Sequence, residues 1–248
     1  MRVVYNFLRT PRWAAASSVV IVITALFVNL GLWQVRRHEA RVTENLVLSA
    51  RVEAAPASLG ETLEAAGADL DTLEYRRVEI SGVYHPELEI LVRSQTFRSE
   101  AGFHVITPLE IAEGRFVLVN RGWVPLVMDT PPVAASPPTG EVTELAFIRL
   151  SQQRPTFGQT EPPGILTVVP RIDLARIQEQ IPGDLAPVWV QRISATADTL
   201  PMPLSSPDTS DTGPHVLYAI QWFAFAVIAL VGFGFLVRGH SRRGRTMS

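Results

Sequence analysis

The sequence predicts an α+β membrane protein: two transmembrane helices flanking one mainly antiparallel, β-rich extracytoplasmic domain with short helices. Three observations carry that expectation. Residues 13–33 and 216–237, runs of 21 and 22, contain no charged side chain. Each makes roughly 30 Å of helix, enough to cross a bilayer's hydrocarbon core. Between them, from Tyr75 onward, apolar and polar residues alternate with a period of two, as in half-buried strands. All 24 acids lie in residues 34–213 against 15 Arg, whereas both flanks carry Arg and no acid.

The composition also excludes classes. Cysteine is absent, which removes disulfides and thiolate metal sites. Lysine is absent too, and the 22 basic residues are all Arg. They form no single basic face and no nucleic-acid motif, so no nucleic-acid partner is expected.

Taken in order, residues 1–12 form a short N-terminal flank, expected to be cytoplasmic. Residues 13–33 form the first span, with Trp13 and Trp33 at the two interfacial belts. A cleaved signal peptide fits less well, because the apolar run is long and no small-residue cleavage site follows it. Two spans place both termini on one side. The Arg-only flanks make that side cytoplasmic, because a long connection translocates largely regardless of its charge. The 12 residues before the span are fewer than an ordinary mitochondrial presequence, so the expected location is a bacterial plasma membrane.

The domain of residues 34–199 opens with a helical lead-in, broken at Ala54-Ala55-Pro56. Ser58-Leu59-Gly60-Glu61 reads as a capping box, with Gly67 closing that helix. Residues 75–84 and 88–92 are read as a hairpin around His85-Pro86-Glu87. Residues 103–109 and 115–121 are read as another through Glu113-Gly114. Residues 130–140 hold four prolines and form a loop. Further strands are expected at 142–150, 164–169 and 187–193, with a short helix at 173–180 capped by Asp173. Residues 200–213, rich in Pro, Ser, Thr and Asp, are read as a flexible tether. Residues 214–237 form the second span and 238–248 a cytoplasmic C-terminus.

The second span carries its polar residues at one end. His215, Tyr218, Ala219 and Trp222 share one helix face, and an ionisable residue on a spanning helix points to function. From the residues alone two roles are open for His215: a polar side chain beside headgroups, or a ligand. Gly31 and Gln34 share a face of the first span. There Gln34 could hydrogen-bond to the second span as a plain helix contact or as part of a site. Trp123 reads as core and Arg121 as an internal ion pair. His38, His85, His104 and His240 show no metal-ligand spacing. His-Glu-x-x-His, Gly-x-Ser-x-Gly, phosphate-loop and dinucleotide motifs are all missing.

Four stretches resemble the surfeit-locus-one family of cytochrome c oxidase assembly factors. They are Leu30-Gly31-Leu32-Trp33-Gln34-Val35-Arg36-Arg37, Tyr75-Arg76-Arg77-Val78-Glu79-Ile80-Ser81-Gly82-Val83-Tyr84, Val117-Leu118-Val119-Asn120-Arg121-Gly122-Trp123-Val124-Pro125 and Pro214-His215-Val216-Leu217-Tyr218-Ala219-Ile220-Gln221-Trp222-Phe223. Val216 stands where the family usually has Leu. The resemblance implies a membrane assembly factor, not an enzyme, that helps deliver or insert haem a into the oxidase's largest subunit. It implies His215 as the haem ligand. Imidazole ligates haem iron when its other nitrogen has a partner. Tyr218 and Trp222 are then candidates to pack on the macrocycle. Trp33, Gln34 and Arg37 are candidates at the same depth on the first span, with Arg36 or Arg37 for a propionate. The implied partners are the oxidase's largest subunit and the bilayer, with haem A synthase as a further candidate.

Three rival functions would each leave a mark on the sequence. An extracytoplasmic enzyme would need a nucleophile and base, and none is visible. A two-span receptor would need an output domain, but 11 residues follow Val237. A scaffold that binds oxidase polypeptides and no haem remains the alternative.

Overall fold

The structure, a computed structural model, describes residues 10–152, 162–193 and 199–246. Residues 1–9 and 247–248 of the predicted flanks lie outside the described residues. The chain divides into two compact units, residues 1–47 with 209–248 and residues 48–208.

The first unit is helical. Helix α1 (Pro11–Glu53) starts at a proline, a residue that fits the first turn because its missing N–H would be unpaired there anyway. Helix α4 (His215–Thr246) is the other long element. Both are long and apolar enough to cross a membrane. Val19, Ile21, Val22, Leu26, Leu217, Ile220, Ile228 and Phe235 lie exposed along them. Water would penalise such a surface, and lipid would cover it.

The second unit is a closed barrel with extensions. Its strands are β1 (Ala57–Ser58), β2 (Arg77–Tyr84), β3 (Ile90–Phe97), β4 (Glu100–Ala112), β5 (Arg115–Pro125), β6 (Glu141–Arg149), β7 (Val168–Val169) and β8 (Asp184–Arg192). The sheet runs β1-β2-β6-β8-β5-β4-β3-β7, and a further β2–β4 pairing closes five of these strands into a ring. The pairs β1–β2, β3–β7 and β5–β8 are parallel, and the others are antiparallel.

Alternation fills the ring. Val78, Ile80, Tyr84, Leu109, Val117, Val119, Ile148, Val188 and Val190 form one buried cluster drawn from all five ring strands. Their opposite-face neighbours Ile106, Leu118 and Trp189 pack with Ile90, Val92, Ile172, Leu174 and Ile177 in a second cluster. That cluster lies under helix α3 (Leu174–Gln178), where Asp173 caps the helix by accepting from the Arg176 N–H. Helix α2 (Leu59–Ala66) begins as its capping box requires, with Ser58 Oγ accepting from Glu61 N, and ends at Gly67 with φ +58°.

Several sequence expectations need correction. Strands β2 and β3 do not form a hairpin. Strand β2 pairs with β6 from Arg77 to Val83, and β3 pairs with β4. The segment between them lacks the Gly or Asn that a tight hairpin turn requires. Pro86–Leu88 instead forms a 3₁₀ turn that carries the chain out of the ring. The strand expected at 164–169 shrinks to Val168–Val169. The stretch at 200–213 is not all free tether. Met202 bridges Trp123 through both backbone groups, and Gln191 donates to the Ser205 carbonyl. The β4–β5 hairpin turns as expected at Gly114, with φ +68°.

Candidate functional site

The less exposed residues of α1 recur in an alternating 4–3 pattern: Trp13, Ser17, Val20, Thr24, Phe27, Gly31, Gln34 and His38. This is the spacing of a left-handed helix pair. On α4 the matching positions include His215, Ala219, Trp222, Ala226 and Phe233. Aromatic rings join the two helices. Phe27 meets Trp222 and Phe225, each at 5.7 Å between ring centroids, and Trp13 meets His240 at 5.0 Å. Small residues sit between them. Gly31 is buried, and a Cβ there would stand 2.6 Å from Phe223 Cε1. Close approach through such small residues is how spanning helices gain packing energy in lipid.

The polar end of the pair is built from both helices. His215 Nδ1 lies 2.9 Å from Gln34 Oε1. An amide oxygen only accepts, so Nδ1 carries a proton, and in the neutral ring Nε2 then holds the lone pair. Just before α4, Gly213 has φ +67° and donates its N–H to Asp211 Oδ1 at 2.8 Å. Asn45 Nδ2 in turn donates to the Asp211 carbonyl at 3.1 Å.

The predicted site residues divide into groups. His215 and Gln34 are half-buried and in contact. Trp222 is half-buried, and its ring is engaged with Phe27 and Phe225. Tyr218 and Trp33 are 48% and 51% exposed. Arg37 is exposed one helical turn beyond Trp33, on the same face of α1.

Sequence reasoning missed Asn45, Asp211 and Gly213. It also dismissed His38, which continues the seam one turn past Gln34 with a shielded Nδ1 that makes no hydrogen bond. A signal was present. Every seventh residue along α1 is small or polar: Ser17, Thr24, Gly31, His38 and Asn45.

The barrel unit holds a separate buried polar cluster. Arg121 Nη1 donates to Glu89 Oε2 at 3.1 Å, with the two side chains 2% and 1% exposed. Glu89 also accepts from Thr107 Oγ1 and Val133 N, each at 2.7 Å, and Arg121 donates to the Ala135 carbonyl. Every partner lies in the same unit, so the cluster fastens the proline-rich loop to the barrel. Trp123 is buried and stacked on Phe97 at 5.5 Å. Arg121 and Trp123 are therefore structural.

Comparison with known proteins agrees with this architecture. The SURF1 family profile matches residues 21–227, a range that takes in the barrel, most of α1 and the first part of α4. An uncharacterised SURF1-like protein of Mycobacterium bovis is 29% identical over 96% of this chain and 88% of its own length. A SURF1-like protein of Monosiga brevicollis is 30% identical over 94% of this chain and 90% of its own. Surfeit locus protein 1 of Mus musculus is 30% identical over 56% of this chain and 49% of its own. The chain belongs to the SURF1 family, a family of cytochrome oxidase assembly factors.

Proposed function

We propose that this protein is a membrane-bound, non-catalytic assembly factor that helps deliver or insert haem a into the largest subunit of cytochrome c oxidase, with His215 as its haem ligand. One observation carries the reading: the His215 imidazole, held by Gln34 through Nδ1, keeps the Nε2 lone pair for iron. The donor chemistry fits the group. Exposed Tyr218, one turn along α4 from His215, and exposed Trp33, next to Gln34 in α1, offer aromatic surface, and Arg37 offers a cation for a propionate. When bound, haem a would supply the iron and the apolar ring that the assembly step transfers. Trp222 supports the helix pair and acts on the site through that packing.

The Arg-only flanks and the bacterial relatives support a plasma-membrane location with both termini cytoplasmic and the barrel outside. The oxidase's largest subunit is the proposed partner, and haem A synthase is the proposed source of the cofactor. The test is oxidase content in cells lacking the chain, complemented with wild type or His215→Ala. Loss of oxidase without the chain, and its partial return with His215→Ala, is the expected result. Full return with His215→Ala, beside a wild-type protein that carries no haem, would favour the scaffold alternative.

A further inference from the structure

Resting on the haem reading above, we propose that Gln34 and Gly213 are positioning residues that commit the His215 imidazole to present Nε2 as its donor atom. Two independent contacts point this way. On one side, the Gln34 oxygen takes the Nδ1 proton. That contact fixes the tautomer of the neutral ring and the ring plane. On the other side, Gly213 removes the side chain that would crowd the donor atom. A Cβ at this position would stand 3.2 Å from Nε2, 3.3 Å from Cδ2 and 3.9 Å from Cε1. The first two distances are tight for any side chain, and they fall on the edge of the ring that iron must reach.

Gly213 is also held in place. Its left-handed backbone is secured by the bond from its N–H to Asp211, and Asp211 is anchored to α1 by Asn45. The imidazole is thus gripped at Nδ1 by one helix, while the turn entering the other helix adds no side chain beside Nε2. A Gln that served only as interhelical glue would explain the first contact and not the second.

The experiment is titration of the full-length, detergent-solubilised protein with haem a, reading Soret absorbance for affinity and a redox titration for midpoint potential. Gln34→Leu keeps the bulk and removes the acceptor, so affinity should fall about 10–100-fold, the usual cost of losing a ligand's hydrogen-bond partner. Gln34→Glu keeps an acceptor and adds negative charge, so affinity should hold while the potential moves down. Gly213→Asn tolerates the left-handed backbone yet carries a Cβ toward Nε2, so affinity should fall without loss of fold. His215→Ala is the reference for complete loss. If His215→Ala loses binding while Gln34→Leu and Gly213→Asn match wild type, the positioning role is overturned and the ligand reading stands. An unmoved potential in Gln34→Glu also overturns it. If His215→Ala binds as wild type does, the haem reading itself fails.

Discussion

Arg121 and Glu89 are the most deeply buried charged pair described in the barrel, and each neutralises the other's charge. Removing one partner strands the other's charge away from water, which costs about 3–5 kcal/mol. Arg121→Leu should lower unfolding stability by that order, and Arg121→Leu with Glu89→Leu should be less damaging than Arg121→Leu alone. Chemical unfolding of the full chain, followed by tryptophan fluorescence, measures both. Two histidines make opposite contributions to pH dependence. His104 is half-buried, and desolvation together with the positive charge of Arg149 pushes it down to about 4. It stays neutral when folded, so stability falls as pH drops from about 6.5 toward 4, by on the order of 3 kcal/mol at full effect. Burial alone would lower His85, but hydrogen bonds to Glu87 at 2.7 Å and Glu110 at 3.0 Å, with their charges, raise it. Its contribution is therefore complete below about 6.5 and is lost as pH rises through the raised value. The melting-temperature gap between wild type and His85→Ala should narrow from pH 6 to pH 9. The gap for His104→Gln should change in the other sense below pH 6.5.

Among the elements, the barrel closes where β2 passes from β6 to β4, and Gly82 marks the crossing. A Cβ there would collide with the Glu110 carbonyl, a backbone group that cannot step aside. Gly82→Ala should open that seam and cost several kcal/mol, on the order of an overpacked core site, visible as a lost thermal transition of the full chain. In the helix pair, Gly31→Leu should drive α1 from Phe223. The chain has no cysteine, so a disulfide between Trp13→Cys and His240→Cys reports the pair cleanly, and Gly31→Leu should slow its formation. These elements were unequally legible. The β4–β5 hairpin announces itself through alternation around Glu113-Gly114, and the α2 cap through Ser58 and Glu61. The β2–β4 closure does not, because long-range pairing leaves no local periodicity. Strand β3 misled because adjacent alternating segments usually pair. The contact of Gln34 with His215 was readable from position on each span. The supporting turn of Asp211 and Gly213 lay in a stretch whose composition resembles any linker.

For the whole molecule, the two units divide the work: a barrel whose buried Arg121–Glu89 cluster bonds within its own unit, and a helix pair carrying the half-buried His215 imidazole. Alkaline phosphatase fused at Ser205 should be active and a fusion at Ser248 inactive, as a barrel outside the cytoplasm requires. The reverse pattern would invert the topology. The measurement that bears most directly on function is the visible spectrum of full-length protein isolated from haem A-producing cells, wild type against His215→Ala. The wild type should carry haem a. The His215→Ala protein should accumulate equally and lose it by about tenfold or more, as removal of a metal ligand and its supported geometry demands. A His215→Ala protein with a full and spectrally unchanged haem complement would contradict the account.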